Sequence, residues 1–191
     1  GDDQFARLLR RQWDADNVDV TFVKTDEKAP TGIYFVTHGP GGHEFTYRRE
    51  GSAASLMCPQ DMPSSYIGGS RILHVSGISQ AISQSASDSV LAAIESAKSS
   101  GTLVSYDTNL RLKLWPLKRA REVIHETVRF ADIARPSLED ARLLTGLQKP
   151  EDIADFYLRL GVKIVALTLG DRGALIATSE RREILPPFEI D

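Results

Sequence analysis

Apolar and polar positions alternate in the first part of the chain in a way that is typical of β-strands. Residues 17–23 alternate in this way and predict a strand. Two further runs, residues 33–37 and 43–49, flank the sequence His-Gly-Pro-Gly-Gly at 38–42. No helix follows these glycines, as a phosphate-binding loop would require, so a β-hairpin with its turn at 38–42 is predicted. Before these strands, two aspartates and apolar residues at helical spacing predict an N-terminal helix.

After residue 70, predicted strands and helices alternate. The predicted strands are residues 71–77, 102–106, 132–137, 162–170 and a last edge segment, 182–188; the predicted helices are residues 85–98, a stretch opening at Pro116, 138–144 and 151–160. Strand–helix–strand units imply parallel pairing with right-handed crossovers. The pattern therefore predicts an α/β fold in which helices cover a mostly parallel sheet.

Two details of this sheet are also predicted. Residues 162–170 are almost continuously apolar, which is typical of a strand covered on both faces. His74 lies within an apolar strand and is expected to be a buried, hydrogen-bonded core residue. Gly101 and Gly146 are expected to end helices, and Ser137 to cap the helix that follows it.

Composition narrows the class of protein. The chain has 191 residues and a formal net charge of −3 at pH 7 with no basic run, so nothing favours nucleic-acid binding. A single cysteine, Cys58, excludes an internal disulfide and fits a reducing cytoplasm. No stretch is long and apolar enough to predict a membrane span.

The first candidate site follows the strand at 102–106. Residues 107–115 read Asp-Thr-Asn-Leu-Arg-Leu-Lys-Leu-Trp, so that Asp107, Asn109 and Arg111 occupy alternate positions. On an extended segment these side chains would point the same way. An acid and an amide can hold a hydrated metal or a sugar hydroxyl, and a guanidinium can bind a carboxylate through two hydrogen bonds. A solvated strand end with a surface ion pair is the alternative.

This segment resembles the D-x-N-x-R-x-x-L-W motif of 2-keto-3-deoxygluconate kinases, which are sugar-acid kinases of the ribokinase (PfkB) family. The resemblance implies an ATP- and Mg²⁺-dependent phosphorylation of a sugar acid, 2-keto-3-deoxygluconate, to its 6-phosphate. It also implies a ribokinase-like fold with a projecting β lid. By the same resemblance Arg111 would hold the acid, while Asp107 and Asn109 would lie near the metal and the phosphate.

A second matching segment lies in the predicted hairpin. Its sequence Tyr-Arg-Arg-Glu-Gly-Ser-Ala at 47–53 resembles the Y-x-R-x-G-S-A motif of the same kinases. The resemblance assigns Tyr47 and Arg49 to the sugar acid, with Arg48 on the opposite face of the strand. Thr31 and Gly32 match the strand that leads into the lid, although a plain turn is the alternative for this pair.

Two later segments match the nucleotide side of the family. Residues 135–146 resemble P-N-x-x-E-x-x-x-L-x-G, with Ser137 for the Asn and Asp140 for the Glu, which would help to hold Mg²⁺ and phosphate. Their shorter reach favours contact through water. The sequence Thr168-Leu169-Gly170 with Gly173 resembles T-L-G-x-x-G, which lies against ATP; a simple hairpin turn is the alternative here.

Two motifs of the family are absent from these 191 residues. The Gly-Gly turn that relatives use against the sugar is absent, and so is the G-A-G-D motif that supplies their anion hole and catalytic base. We do not assign that role to Asp191. The expectation is one partial domain over 1–191, with a lid at about 18–49, that does not complete the reaction by itself.

Three alternatives stay open on the sequence alone. A kinase of the same family could act on fructose, ribose or a nucleoside, although a neutral sugar would leave Arg49 and Arg111 without a partner. A binding fragment without catalytic activity is the second. A role of the lid in homo-oligomer formation is the third.

Overall fold

The computed structural model describes residues 1–39 and 42–188 of the chain. The helices are α1 (Gln4–Ala15), α2 (Ser64–Gly68), α3 (Gly77–Ala81), α4 (Gln84–Ser100), α5 (Leu117–Val128), α6 (Leu138–Thr145) and α7 (Pro150–Arg159). The strands are β1 (Ile33–Gly39), β2 (Gly42–Arg48), β3 (Ile72–Ser76), β4 (Leu103–Asp107), β5 (Ile133–Arg135), β6 (Ile164–Thr168), β7 (Ala174–Ala177) and β8 (Arg182–Leu185). None of these helices has the length and apolar character needed to cross a membrane.

The main sheet contains six strands in the order β3-β4-β5-β6-β7-β8. Strands β3 to β6 run parallel, β7 pairs antiparallel with β6, and β8 pairs antiparallel with β7. Alternate residues of these strands, such as Val104, Tyr106 and Val165, are fully buried in the core, where α4, α5, α6 and α7 also bury their apolar residues. The predicted α/β fold with a mostly parallel sheet is confirmed.

The opposite face of the sheet is open in the part of the chain that the structure describes. Ile72, Leu103 and Ile164 lie on it with exposed fractions of 48%, 40% and 37%. The prediction that residues 162–170 form a strand covered on both faces is therefore wrong for this structure. The strands are added to the sheet in chain order, so right-handed crossovers place every connecting helix on the same side.

His74 lies on this open face. Its side chain is exposed, and its Nδ1 lies 3.0 Å from the hydroxyl of Ser105 on the neighbouring strand. The expectation of a hydrogen-bonded histidine is confirmed, whereas the expectation of burial is wrong, because the side chain points away from the helices.

The predicted strand at residues 17–23 does not form. Instead, the carboxylate of Asp19 accepts hydrogen bonds from the backbone N–H of Thr21 at 2.9 Å and from its hydroxyl at 2.6 Å. The N–H of Val23 then donates to the carbonyl of Val20. This local turn competes with strand pairing, as aspartate side chains commonly do.

The predicted hairpin forms a sheet of its own. Strands β1 and β2 pair antiparallel from Ile33↔Arg48 to Gly39↔Gly42, and Tyr34 lies opposite Tyr47. We call β1 and β2 the lid hairpin. Pro40 and Gly41, at the centre of the predicted turn, lie outside the described residues, as does Asp191.

The predicted N-terminal helix is confirmed, and the residue that caps it is connected to the segment that leads into the lid. Asp3 caps α1 by accepting from the N–H groups of Phe5 and Ala6, and its second oxygen accepts from the N–H of Thr31 at 2.8 Å. Hydrogen bonds from Thr31 and Ala6 lower the pKa of Asp3 to about 2. The start of α1 is thus attached to the segment that leads into β1.

Candidate functional site

Three polar residues lie side by side where strands β3, β4 and β5 end. Ser76 is in register with Asp107, and Asp107 is in register with Arg135. The Nη1 of Arg135 donates to the Oδ2 of Asp107 at 2.7 Å. The carboxyl ends of parallel strands are the usual location of binding sites in open α/β sheets. We call Ser76, Asp107 and Arg135 the strand-end row.

Asn109 is attached to this row by both its backbone and its side chain. Its N–H donates to Asp107 Oδ1 at 3.1 Å, and its Nδ2 donates to the hydroxyl of Ser76 at 2.9 Å. Its φ of +36° lies in the left-handed region, which asparagine adopts more readily than most residues. The segment is therefore not extended at this point. The expectation that Asp107, Asn109 and Arg111 leave one face of a straight strand is wrong, although the structure does connect the first two.

Arg111 lies beside a different carboxylate. Its Nη1 donates to the carbonyl of Leu110 at 2.8 Å, and its positive charge acts on Asp140. Asp140 in turn accepts from the N–H of Leu110 at 3.0 Å. The segment after β4 is thus connected to the first turn of α6, which places Arg111, Asp140 and Asp107 in one electrostatic cluster.

Burial raises the pKa of Asp140 above its ordinary value. The hydrogen bonds from Leu110 and Ser137 and the charge of Arg111 act in the opposite direction, whereas the charge of Asp107 adds to the increase. Ser137 caps α6, as predicted, by accepting from the N–H of Asp140 at 3.1 Å. Its hydroxyl therefore already has a structural role.

The nucleotide-side residues lie next to Ser137. Thr168, the last residue of β6, forms a parallel β-bridge with Ser137, and its N–H donates to Pro136 at 3.0 Å. A short 3₁₀ turn, Gly170–Arg172, follows. The structure thus brings Ser137 and Asp140 close to the predicted Thr168–Gly173 segment.

The two glycines of that segment have positive φ values, +67° at Gly170 and +85° at Gly173. A Cβ at Gly173 would come within 2.0 Å of the carbonyl oxygen of Leu185. The N–H of Leu169 donates to the carbonyl of Gly173 at 2.8 Å and closes the turn. Close packing against β8 is therefore sufficient to explain a glycine at position 173 without any ligand.

The lid holds Arg49 against two aromatic rings. The guanidinium carbon lies 5.6 Å from the ring centroid of Tyr34 and 5.6 Å from that of Tyr47. A Cβ at Gly32 would lie 3.6 Å from Arg49 Cγ and 3.1 Å from Ser52 Oγ, so Gly32 belongs to the same cluster. The hydroxyl of Thr31 is buried and makes no hydrogen bond within residues 1–39 and 42–188.

The predicted residues do not share one cleft. Thr31, Tyr47 and Arg49 line an open cleft of about 650 Å³ together with Arg48, Asp3 and residues of α1. A second cleft, of about 760 Å³, lies between α1 and the segments at 22–32 and 53–62. Neither is lined by Asp107, Asn109 or Arg111. The lid instead contacts the segment after β4 through Lys113, whose Nζ donates to the carbonyl of Phe45 at 3.0 Å.

No group of three or more His, Cys, Asp or Glu side chains is placed to hold a metal ion among the residues that the structure describes. Asp107 and Asp140 provide two carboxylates, one fewer than such a group needs, and each already accepts hydrogen bonds from the protein. Such a pair provides oxygen ligands of the kind Mg²⁺ uses when it keeps several waters and binds substrate phosphates.

Sequence reasoning assigned no site role to Tyr34, Ser76, Lys113 or Arg135. A signal was present for Ser76 and Arg135, since both lie near the carboxyl ends of predicted strands, which neighbouring parallel strands bring together. Tyr34 and Lys113 depend on the hairpin register and on how the lid docks, which no local pattern indicates.

Comparison with known proteins gives a match over the whole chain. The sequence profile of the pfkB family of carbohydrate kinases matches residues 1–191. The chain is 38% identical over 181 residues to a 2-dehydro-3-deoxygluconokinase from Thermoproteus tenax, covering 92% of this chain and 54% of that protein. It is 31% identical over 194 residues to the enzyme of the same name from Bacillus subtilis, covering 100% of this chain and 60% of that protein. The chain thus spans little more than half the length of these relatives.

Solved structures agree with the fold. A PfkB protein from Polaromonas sp. JS666 superposes with a TM-score of 0.91 at 31% identity, over 100% of this chain and 65% of that one. A fructokinase from Vibrio cholerae O395, bound to fructose, ADP and a calcium ion, superposes with a TM-score of 0.84 at 28% identity, over 100% of this chain and 62% of that one.

Proposed function

Because the chain belongs to the pfkB family of carbohydrate kinases, we propose that it contains the sugar-acid lid and part of the nucleotide site of an ATP-dependent 2-keto-3-deoxygluconate kinase. The relatives from T. tenax and B. subtilis bear the name of that activity, which supports the substrate class. The proposed product is the 6-phosphate of the sugar acid.

The observation that carries this proposal is the environment of Arg49. Two tyrosine rings flank its guanidinium at 5.6 Å and hold a delocalised cation on the lid. A guanidinium binds a carboxylate through two parallel hydrogen bonds, whereas a neutral sugar offers it no charged partner. Tyr47 and Arg49, with Thr31 and Gly32, would therefore contact the acid from the lid, and Arg111 would contact it from the segment after β4.

The remaining predicted residues would serve the nucleotide. Asp107, Asn109, Ser137 and Asp140 would hold hydrated Mg²⁺ and phosphate through water, because protein groups already occupy part of each side chain. Mg²⁺ bound there would neutralise charge on the transferred phosphoryl group. Thr168, Leu169, Gly170 and Gly173 would lie along ATP. The ADP and calcium ion bound to the V. cholerae fructokinase support a nucleotide and a divalent cation.

In the proposed reaction, a hydroxyl oxygen of the sugar acid bonds to the γ-phosphorus of ATP. The bond from that phosphorus to the β–γ bridging oxygen breaks, ADP leaves, and the hydroxyl proton passes to a base. No Gly-x-Gly-Asp sequence occurs in the 191 residues, and we assign the base to none of them. A base and an oxyanion donor each commonly contribute about two or more powers of ten in rate, so binding is the activity to test here.

Calorimetric titration of the chain with 2-keto-3-deoxygluconate tests the proposal. We expect saturable binding that Arg49→Ala weakens by about tenfold or more, the scale of one lost charge-assisted hydrogen-bonded contact. Arg11→Ala is the matched control, because Arg11 is an exposed arginine of α1 that lines neither cleft. Equal losses in the two variants, or no binding by the folded wild-type chain, would overturn the proposal.

A kinase of a neutral sugar is the second candidate, favoured by the similarity to the V. cholerae fructokinase. The same titration with fructose separates the two. Fructose binding that is indifferent to Arg49→Ala, with no response to the sugar acid, would support the neutral-sugar kinase.

A further inference from the structure

Beneath the strand-end row, a buried chain of hydrogen bonds connects three elements. The hydroxyl of Tyr106 on β4 donates to Gln80 Oε1 on α3 at 2.6 Å, and Gln80 Nε2 donates to the hydroxyl of Thr127 on α5 at 3.0 Å. That hydroxyl donates to the carbonyl of Val123 at 2.8 Å. The exposed fractions of Tyr106, Gln80 and Thr127 are 0%, 4% and 1%.

The donor and the acceptor of each of these three hydrogen bonds follow from their chemistry. A backbone carbonyl only accepts, so Thr127 must donate to Val123 and accept from the amide nitrogen of Gln80. The amide oxygen of Gln80 then faces Tyr106, which must donate to it. A buried polar network in which each group has a partner is rigid and admits one arrangement. Gln80 therefore holds α3 against both β4 and α5.

Helix α3 begins at the residue after Ser76, so the position of α3 affects where Ser76 lies in the strand-end row. A Cβ at Gly77, the first residue of α3, would lie 2.2 Å from the carbonyl oxygen of Thr108 and 3.1 Å from the hydroxyl of Tyr106. The backbone of α3 thus packs directly on the segment between Asp107 and Asn109. Ser76 directly precedes α3, and its hydroxyl makes no capping hydrogen bond but accepts from the side-chain amide of Asn109 at 2.9 Å.

Asn109 needs this support because its backbone lies in the left-handed region, at a φ of +36°. Such conformations persist where the surroundings hold them, and they cluster at functional sites. Asn109 contacts Ser76 at the end of β3 and Asp107 at the end of β4. Helix α3 follows directly on β3, and Tyr106 lies on β4 next to Asp107.

We propose that Tyr106, Gln80 and Thr127 are positioning residues that orient Asn109, through α3 and Ser76, toward the hydrated metal and phosphate assigned to it. This inference rests on the proposed function for the role of Asn109, and it assigns a task to a buried network that touches no ligand. Breaking the network leaves the binding groups in place but misorients one of them.

The direct test is the NMR signal of the Asn109 side-chain amide in ¹⁵N-labelled protein, assigned by its loss in Asn109→Ser. We expect Tyr106→Phe, which removes only the hydroxyl, to move this signal toward that of a solvent-exposed asparagine. Thr127→Val, which is nearly isosteric, should do the same and replaces Tyr106→Phe if that variant does not fold. Thr127→Ser, which keeps the hydroxyl, should show the Asn109 signal at its wild-type position.

Thr102→Val is the matched control. The hydroxyl of Thr102 is also buried and hydrogen-bonded, to carbonyls including that of Ile67 at 3.1 Å, but it lies at the opposite end of β4. This variant should leave the Asn109 signal unchanged. An unchanged signal in folded Tyr106→Phe, or an equal shift in Thr102→Val, would overturn the inference.

Titration with ADP in the presence of Mg²⁺ adds the functional readout, because Asn109 is assigned to the metal and the phosphate. We expect Tyr106→Phe to weaken ADP binding by about tenfold, the scale at which outer hydrogen-bond partners of a site act, and Thr102→Val to leave it unchanged. If the wild-type chain does not bind ADP with Mg²⁺, the proposed nucleotide role of Asn109 fails, whereas the Asn109 signal still decides whether the network positions that residue.

Discussion

At the scale of single residues, the two carboxylates of the candidate site differ in environment. Asp107 lies opposite the guanidinium of Arg135, at 2.7 Å, whereas Asp140 is half-buried and its pKa is raised. A carboxylate with a raised pKa costs folding free energy when it is charged. At neutral pH the charged form of Asp140 is therefore less favourable in the folded chain than in water.

The raised pKa of Asp140 predicts the effect of Asp140→Asn on the stability of the fold. A carboxyl whose folded-state pKa is raised destabilises the folded state at neutral pH and ceases to do so as the pH falls through that raised value. The amide oxygen can still accept from Leu110, so we expect the variant to unfold at higher urea concentration than wild type at pH 7. The difference should shrink toward pH 4, near the ordinary value for aspartate. A variant less stable than wild type at pH 7 would contradict the argument.

At the scale of elements, the corner between β3 and α3 shows why a glycine stands at position 77. Its missing Cβ leaves room for the carbonyl oxygen of Thr108, 2.2 Å from where a Cβ would lie. That obstacle is backbone, so a side chain can be accommodated only if α3 moves away from β4.

We therefore expect Gly77→Ala to lower the free energy of unfolding by about 1–3 kcal/mol, the range for overpacking a core. Urea unfolding measures it. Gly39→Ala is the matched control, because a Cβ there meets nothing within 4 Å, and its change should stay within about 0.5 kcal/mol. Equal stability of the two variants would show that α3 can shift without cost.

At the scale of the whole molecule, the two ends of the sheet have different roles. The carboxyl ends carry the candidate site. At the opposite end Asp132 is buried and accepts from the N–H of Val104 at 3.0 Å and from Lys98 and Lys163 at 3.3 and 2.9 Å. Burial alone would raise the pKa of Asp132, but these hydrogen bonds outweigh burial and lower it. One carboxylate thus joins α4 and the starts of β4, β5 and β6.

Asp132→Asn should therefore destabilise the fold without affecting the site. A lowered folded-state pKa adds stability above the ordinary aspartate value, and this stability is lost as the pH falls through the lowered value. We expect a loss of about 1–3 kcal/mol at pH 7 that shrinks at acidic pH, together with unchanged sugar-acid affinity. A matched loss of affinity in calorimetry would show that the two ends of the sheet are coupled.

The sequence by itself determined the features that depend on neighbours along the chain. Ser137 capping α6, and Gly101 and Gly146 ending α4 and α6 in the left-handed conformation, follow from backbone hydrogen bonds and steric limits within a few residues. The strand–helix alternation predicted the parallel sheet for the same reason, and the motif order predicted the family. Residues 17–23 are the exception, because the turn at Asp19 satisfies the local backbone better than a strand without a pairing partner.

Only the tertiary structure decided which distant residues meet. The pairing of Asp107 with Arg135, the stacking of Arg49 on Tyr34 and the network through Gln80 join residues that lie 15 to 47 positions apart along the chain. Strand register, the side to which every crossover turns and the docking of the lid set these contacts. They are properties of packing between elements, since side-chain period tells which face a residue occupies but not what lies opposite it.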